Sequence, residues 1–136
     1  MKLLVKLSVI LAFVVVVLGA YTRLTDAGLG CPDWPGCYGH LVVPSAPEVV
    51  DAAQSAYPER PVEADKAWTE MVHRYFAGTL GIFILLIVIY SRKVRPDLMG
   101  EHTLPTKLPM ALLILVIGQA ALGMWTVTLN LMPVVV

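Results

Sequence analysis

The chain has 136 residues, of which 57% are hydrophobic and 15% charged, and its formal net charge is zero. Soluble domains usually carry about a quarter charged residues, and nucleic-acid-binding domains carry excess positive charge, so the composition favours neither class. Most apolar residues fall in three long runs with the charges between them. This pattern predicts an all-α integral membrane protein with three transmembrane helices.

The first apolar run predicts a transmembrane helix over about residues 3–21. Its length is close to the roughly 20 residues that a helix needs to cross a bilayer core of about 30 Å. Lys2 and Lys6 flank its start, and Gly19 and Ala20 lie near its end, an order that a cleaved signal peptide shares. We expect a retained helix because the apolar part is long for a signal.

Residues 22–67 are rich in proline and glycine, so they predict an outward loop rather than a spanning helix. Within this loop we expect a short surface helix over residues 47–56. Val49, Val50 and Ala53 of this helix would then lie toward the membrane surface.

The loop carries both cysteines of the chain, Cys31 and Cys37. Thiols on the outward side meet oxidising conditions, and the intervening prolines and glycine permit a tight loop closed by a disulfide. The pair is interpreted either as a staple of the loop or as a redox-active pair that cycles between dithiol and disulfide. A metal site is disfavoured because the two thiols and His40 lack a fourth ligand.

The second and third apolar runs predict helices over about residues 68–90 and 108–129, and an apolar segment from Pro133 predicts the start of a fourth. Trp68 and Tyr90 stand at the two ends of the second run, as interfacial aromatics do. The third run has one face of small and polar residues, which predicts close helix packing, with a cofactor wall as the alternative. That face comprises Gln119, Leu122, Gly123, Thr126 and Asn130.

Positive residues in short loops indicate the side of the membrane that each loop occupies. Four basic residues lie in loop 91–107 and two flank the start of the first helix, whereas the 22–67 loop has three basic and seven acidic residues. We therefore expect the N-terminus and loop 91–107 to be cytoplasmic. The 22–67 loop would face the periplasm or its equivalent.

An ionisable cluster, Glu70, His73 and Arg74, lies near the outward end of the second helix. Such groups are costly at membrane depth and usually face the interior of a bundle. The spacing places Glu70 one turn from His73, and the small residues Ala77 and Gly81 continue that face. Three interpretations remain open: ligation of a haem iron by His73, a salt-bridge network that anchors the helix end, and proton or ion transport.

Three motifs together resemble the haem A synthase family. They are the outer-loop run 22–39 (TRLTDAGLGCPDWPGCYG), the Glu70-x-x-His73-Arg74 pattern in helix two, and the run 119–129 (QAALGMWTVTL) in helix three. They occur in the order and topology of that family and span nearly the whole chain. The resemblance implies an oxidoreductase that oxidises the C8 methyl group of haem O to a formyl group, giving haem A for terminal oxidases.

The resemblance also implies a fold and roles for single residues. The family has eight spanning helices in two similar four-helix halves; the first half would hold the substrate haem O and the second a b-type haem. By this resemblance His73 is an axial ligand of the haem iron and Glu70 is the catalytic carboxylate. Arg74 would pair with a haem propionate or with Glu70. Cys31 and Cys37 match a pair proposed to take part in electron or haem transfer.

The chain departs from the family pattern because it covers only helices one to three and the approach to helix four. The second histidine of this half would follow residue 136, so we expect a missing C-terminal half or a second chain to complete the site. We expect the chain alone to be inactive. Expected partners are haem O, the bilayer of a bacterial inner membrane and haem O synthase, with no nucleic acid.

Two other functions fit the same residues. A b-type cytochrome subunit would pass electrons, and it would need a second histidine on a facing helix but no carboxylate at Glu70. A non-catalytic membrane fragment would bind no haem.

Overall fold

A computed structural model describes residues 1–93 and 107–129 of the chain. It contains four helices: α1 Lys2–Leu24, α2 Pro47–Ala56, α3 Ala64–Lys93 and α4 Lys107–Thr128. The described residues form no β-strand, and three of their helices are long and apolar enough to cross a membrane, which confirms the predicted all-α membrane fold. Most of the predicted cytoplasmic loop 91–107 and the predicted start of a fourth helix at Pro133 lie outside the described residues.

Two of the spanning helices, α1 and α3, extend beyond the apolar runs that predicted them, whereas α4 matches its predicted run to within one residue at each end. α1 ends at Leu24, and α3 begins at Ala64 and continues to Lys93. Polar residues are tolerated at these ends because their side chains or charges find partners. The hydroxyl of Thr22 donates to the main-chain oxygen of Leu18 at 2.8 Å. Basic residues in the last turn of α3 complement the negative end of the helix dipole.

α3 is the central helix of the three spanning helices, because both α1 and α4 pack against it. Leu80, Ile84 and Val88 recur every four residues along α3 and are buried. Most large apolar side chains of α1 and α4, such as Phe13 and Ile114, are exposed on the surface of this chain. In a bilayer such side chains face lipid or further helices.

Loop 22–67 folds back onto the N-terminal end of α3 and builds a small core there. Tyr57 and Val62 pack against this core, which comprises Cys31, Cys37, Tyr38, Val43, Ala53, Ala67 and Met71. α2 forms where a short helix was predicted, over Pro47–Ala56. The prediction that Ala53 lies toward the membrane surface is wrong, because this residue is buried in the loop core.

Candidate functional site

The loop core encloses the cysteine pair. Cys31 and Cys37 are joined by a disulfide with a Cα–Cα distance of 4.8 Å, and both residues are 0% exposed. Exchange with another thiol requires access to a sulfur atom, so this burial favours the structural staple over the redox-active pair. Stapling a short loop contributes modestly to stability in chain-entropy terms, but here the disulfide also fills the centre of the loop core.

Asp33 organises the turn that closes the disulfide loop. Its carboxylate accepts hydrogen bonds from the main-chain N–H of Tyr38 at 2.6 Å and of Gly39 at 2.8 Å. Tyr38 and Gly39 have positive φ angles of 53° and 78°. The two carboxylate oxygens therefore stabilise a turn whose backbone conformation is uncommon for a residue such as tyrosine. Sequence analysis missed this residue, although an aspartate before a glycine-containing turn is a known signal for such capping.

Gly30 lies where the loop crosses the first turn of α3. A Cβ atom at this position would lie 2.5 Å from the main-chain carbon of Lys66 and 2.7 Å from the main-chain nitrogen of Ala67. The loop can therefore approach the helix this closely only with glycine at position 30.

Glu70 lies directly beneath the loop and is 4% exposed. Its Oε2 accepts a hydrogen bond from the main-chain N–H of Cys31 at 2.9 Å. Its Oε1 accepts a hydrogen bond from Nη2 of Arg74, one turn further along α3. A buried carboxylate needs such partners, because an unpaired charge away from water is strongly unfavourable.

Arg74 joins Glu70 to the loop. Its Nη1 donates to the main-chain oxygens of Asp33 at 2.9 Å, Pro35 at 3.4 Å and Gly36. The planar guanidinium suits this task because its N–H groups spread in one plane toward several acceptors. The predicted salt-bridge network is therefore present only in part, as the Glu70–Arg74 pair without His73, and this pair anchors the cysteine loop rather than only the helix end.

His73 points away from this network, toward α1. A Cβ atom at Gly19 would lie 3.0 Å from Cε1 of His73, so the imidazole packs directly on that glycine. The ring also interacts with the main-chain carbonyl of Val15, which lies on α1 one turn before Gly19. Its Nδ1 is buried and has no hydrogen-bond partner. The predicted cluster thus divides into a Glu70–Arg74 pair under the loop and a separate imidazole between α3 and α1.

Ala77 and Gly81 were predicted to leave room beside α3 for a macrocycle or a helix. At Gly81 this room is taken by a helix. A Cβ atom at Gly81 would lie 3.8 Å from Cγ1 of Val116, so α4 occupies the space next to this glycine. The small and polar face of α4 does not make this contact, because Gln119, Leu122 and Gly123 are exposed. The packing predicted for that face is not made between the described helices.

The described residues offer few donors for a haem iron. The described residues contain no group of three or more histidine, cysteine or acidic side chains that could hold a metal ion. An axial haem ligand needs one imidazole nitrogen without a competing partner, and the orphaned Nδ1 shows that the His73 ring is not saturated by this chain. Of the other two histidines, His40 lies exposed in the outward loop, and His102 lies outside the described residues. Among the described histidines, His73 is therefore the one with a buried ring nitrogen that no group of this chain occupies.

Tyr38 links the disulfide loop to the segment that leads into α3. Its hydroxyl donates to the main-chain oxygen of Pro61 at 3.0 Å, and its ring meets Tyr57 edge-on at 5.7 Å. Burial raises the pKa of the Tyr38 phenol, because the phenolate would lose its hydration. The side chain is therefore neutral at ordinary pH, and it packs in the loop core as a hydrogen-bond donor.

Comparisons with known proteins agree with the motifs on which this site is built. A family model described as cytochrome oxidase assembly protein matches residues 2–136. The Heme A synthase of Shewanella oneidensis is 50% identical over 133 residues, which are 98% of this chain and 38% of the relative. No solved structure matches the chain. The protein is a multi-pass membrane protein of the haem A synthase family of cytochrome oxidase assembly proteins.

Proposed function

We propose that the full-length protein oxidises the C8 methyl group of haem O to a formyl group and that this chain forms the substrate side of the enzyme. The observation that carries the proposal is the 50% identity to a Heme A synthase along 98% of the chain. The net conversion of a methyl group and one water to a formyl group releases four electrons and four protons. The electrons pass to an external acceptor.

His73 would hold the iron of the substrate haem. The imidazole between α3 and α1 supports this role, because its Nδ1 has no hydrogen-bond partner in this chain. A second imidazole would come from the remaining chain or from a second chain, together with the b-type haem. The iron supplies the oxidising chemistry when the substrate is bound.

Glu70 would accept protons that the oxidation releases, since it supplies a buried carboxylate whose position on α3 is one turn from His73, although the two side chains point apart. Arg74 would hold that carboxylate in place. The contacts of its guanidinium with three loop carbonyls support this role rather than the pairing with a haem propionate. In the cell, haem O synthase would deliver the substrate within the bacterial inner membrane, with the loop on the periplasmic side.

The test uses the full-length gene in a host that makes haem O but lacks its own haem A synthase. Extracted haems are separated for the wild type, His73→Ala and the matched control His40→Ala, whose histidine is exposed in the outward loop. We expect haem A from the wild type and the control, and accumulated haem O from His73→Ala. Unmodified haem from the wild type would contradict the proposal and favour a b-type cytochrome.

Glu70 requires a separate variant because it also holds the loop. Glu70→Gln keeps an oxygen that can accept from the Cys31 N–H but cannot act as a base at neutral pH. Its NH2 group cannot accept from Arg74, so haem A is measured per amount of folded protein that carries the disulfide. We expect haem O to accumulate in Glu70→Gln on that basis. Normal haem A formation in Glu70→Gln would contradict the proposal that Glu70 accepts protons.

A further inference from the structure

The loop exposes two adjacent apolar side chains at its tip. Leu41 is 78% exposed and Val42 is 53% exposed, whereas the next two residues, Val43 and Pro44, are buried. The tip therefore turns one face into the loop core and leaves the other without a partner in the described chain. Keeping such a pair in water is unfavourable, because each large aliphatic side chain gains free energy when it leaves water.

A hydrogen bond fixes the height of this tip along α3. The hydroxyl of Tyr75 donates to the main-chain oxygen of Leu41. Tyr75 lies in the interior of α3, fifteen residues before Tyr90, whose ring stands near the basic end of the helix. At about 1.5 Å per residue, the Cα atoms of Tyr75 and Tyr90 are about 22 Å apart.

This height lies inside the part of α3 that the interfacial aromatics Trp68 and Tyr90 delimit. Tyr75 follows Trp68 by seven residues, so its Cα atom lies about 10 Å further along the helix, and its side chain leans back toward Trp68 by roughly one turn. The tip is therefore level with the outer part of a hydrocarbon core of about 30 Å. A tyrosine with its ring in an apolar region and its hydroxyl hydrogen-bonded is well suited to that position.

The chemistry of the tip is compatible with acyl chains. Residues 41–47 contain no ionisable side chain. A groove of about 340 Å³, lined by residues 40–46 and Val49, opens beside the two exposed side chains. The Tyr75 hydroxyl also satisfies the main-chain oxygen of Leu41, which would be costly to bury unpaired.

We propose that Leu41 and Val42 insert into the acyl-chain region of the bilayer leaflet on the loop side and that Tyr75 sets their depth. The loop then contacts the membrane through its tip, while α2 and the disulfide remain above the surface. The partner of this surface is lipid, not the remainder of the protein.

The test measures the collision of a nitroxide label with reagents that partition differently. Leu41→Cys and Val42→Cys are labelled in full-length protein in lipid nanodiscs, in a background whose other cysteines are Cys31 and Cys37. These two are joined and do not take the label. The water control is Ser55→Cys, exposed on α2, and the lipid control is Ile82→Cys, exposed midway along α3.

We expect labels at Leu41 and Val42 to collide with oxygen as at Ile82 and severalfold less with a water-soluble nickel chelate than at Ser55. Equal nickel collision at Leu41 and Ser55 would place the tip in water and overturn the proposal. Low collision with both reagents would also overturn it, since protein would then cover the tip. Adding Tyr75→Phe to the Leu41→Cys variant should raise nickel collision, because the bond that sets the depth is lost.

Discussion

Glu70 and Cys31 are joined across 39 positions of sequence by a hydrogen bond of 2.9 Å between a carboxylate oxygen and a main-chain N–H. Both residues are buried. The outward loop and the central helix therefore meet at a contact that is charged and closed to water. Such a contact makes the loop and the helix depend on each other, because neither partner can be left unpaired at low cost.

Replacement of Glu70 by alanine should destabilise the protein strongly. The substitution leaves the guanidinium of Arg74 and the N–H of Cys31 buried without their acceptor, which costs about 3–5 kcal/mol in comparable buried pairs. Glu63→Ala is the matched control, since Glu63 pairs at 3.0 Å with Lys66 at an exposed site, and it should change little. Thermal unfolding of the purified full-length protein compares the two variants. Similar midpoints would show that the buried pair is dispensable.

Replacement of Gly19 by valine should impair haem A formation without removing any polar group. The new Cβ would lie 3.0 Å from Cε1 of His73, and the two methyl groups beyond it would displace the imidazole from its place against α1. A shift of about 1 Å in a catalytic group can cost up to about a hundredfold in rate. Ala20→Val, at the exposed neighbouring position, controls for the effect of valine on α1. Extracted haems give the readout, and equal haem A in both variants would contradict the proposed role of His73.

Replacement of Asp33 by alanine should loosen the turn after the disulfide. The N–H groups of Tyr38 and Gly39 lose a charged acceptor, which costs about 1–3 kcal/mol. Hydrogen–deuterium exchange at these two amides should accelerate, and Asp33→Asn, with one acceptor oxygen, should fall between the alanine variant and the wild type. Asp51→Ala on the exposed face of α2 is the control. Unchanged exchange in Asp33→Ala would mean that the turn holds without the carboxylate.

The spanning helices could be predicted from sequence because length and hydropathy alone decide whether a helix can cross a bilayer. The ends of α1 and α3 could not, since residues such as Thr22 extend a helix by bonding to its own main chain. The disulfide was a predicted alternative on local grounds, and it forms between Cys31 and Cys37. Its complete burial depends on residues far along the chain, including Ala67 and Met71, which local reasoning does not bring together.

The ionisable cluster shows the same limit. Helical spacing correctly places Glu70, His73 and Arg74 near one another on α3, but it does not say which neighbour each side chain meets. Asp33 and Gly36 hold Arg74 from about forty residues away. These acceptors are main-chain carbonyls, which leave no signature in side-chain chemistry. The separation of His73 from the other two side chains therefore could not be predicted from the sequence pattern.

At Gly30 the gap between the outward loop and the membrane helix is narrower than a methyl group. A Cβ there would meet main-chain atoms of Lys66 and Ala67, which cannot swing aside as a side chain can. Gly30→Ala would thus push the loop away from α3 and lengthen the distance between the Cys31 N–H and Glu70. It would do so without removing any charged group or sulfur atom. The register between the loop and α3 thus depends on a residue that has no side-chain carbon, and no ion pair can compensate for its enlargement.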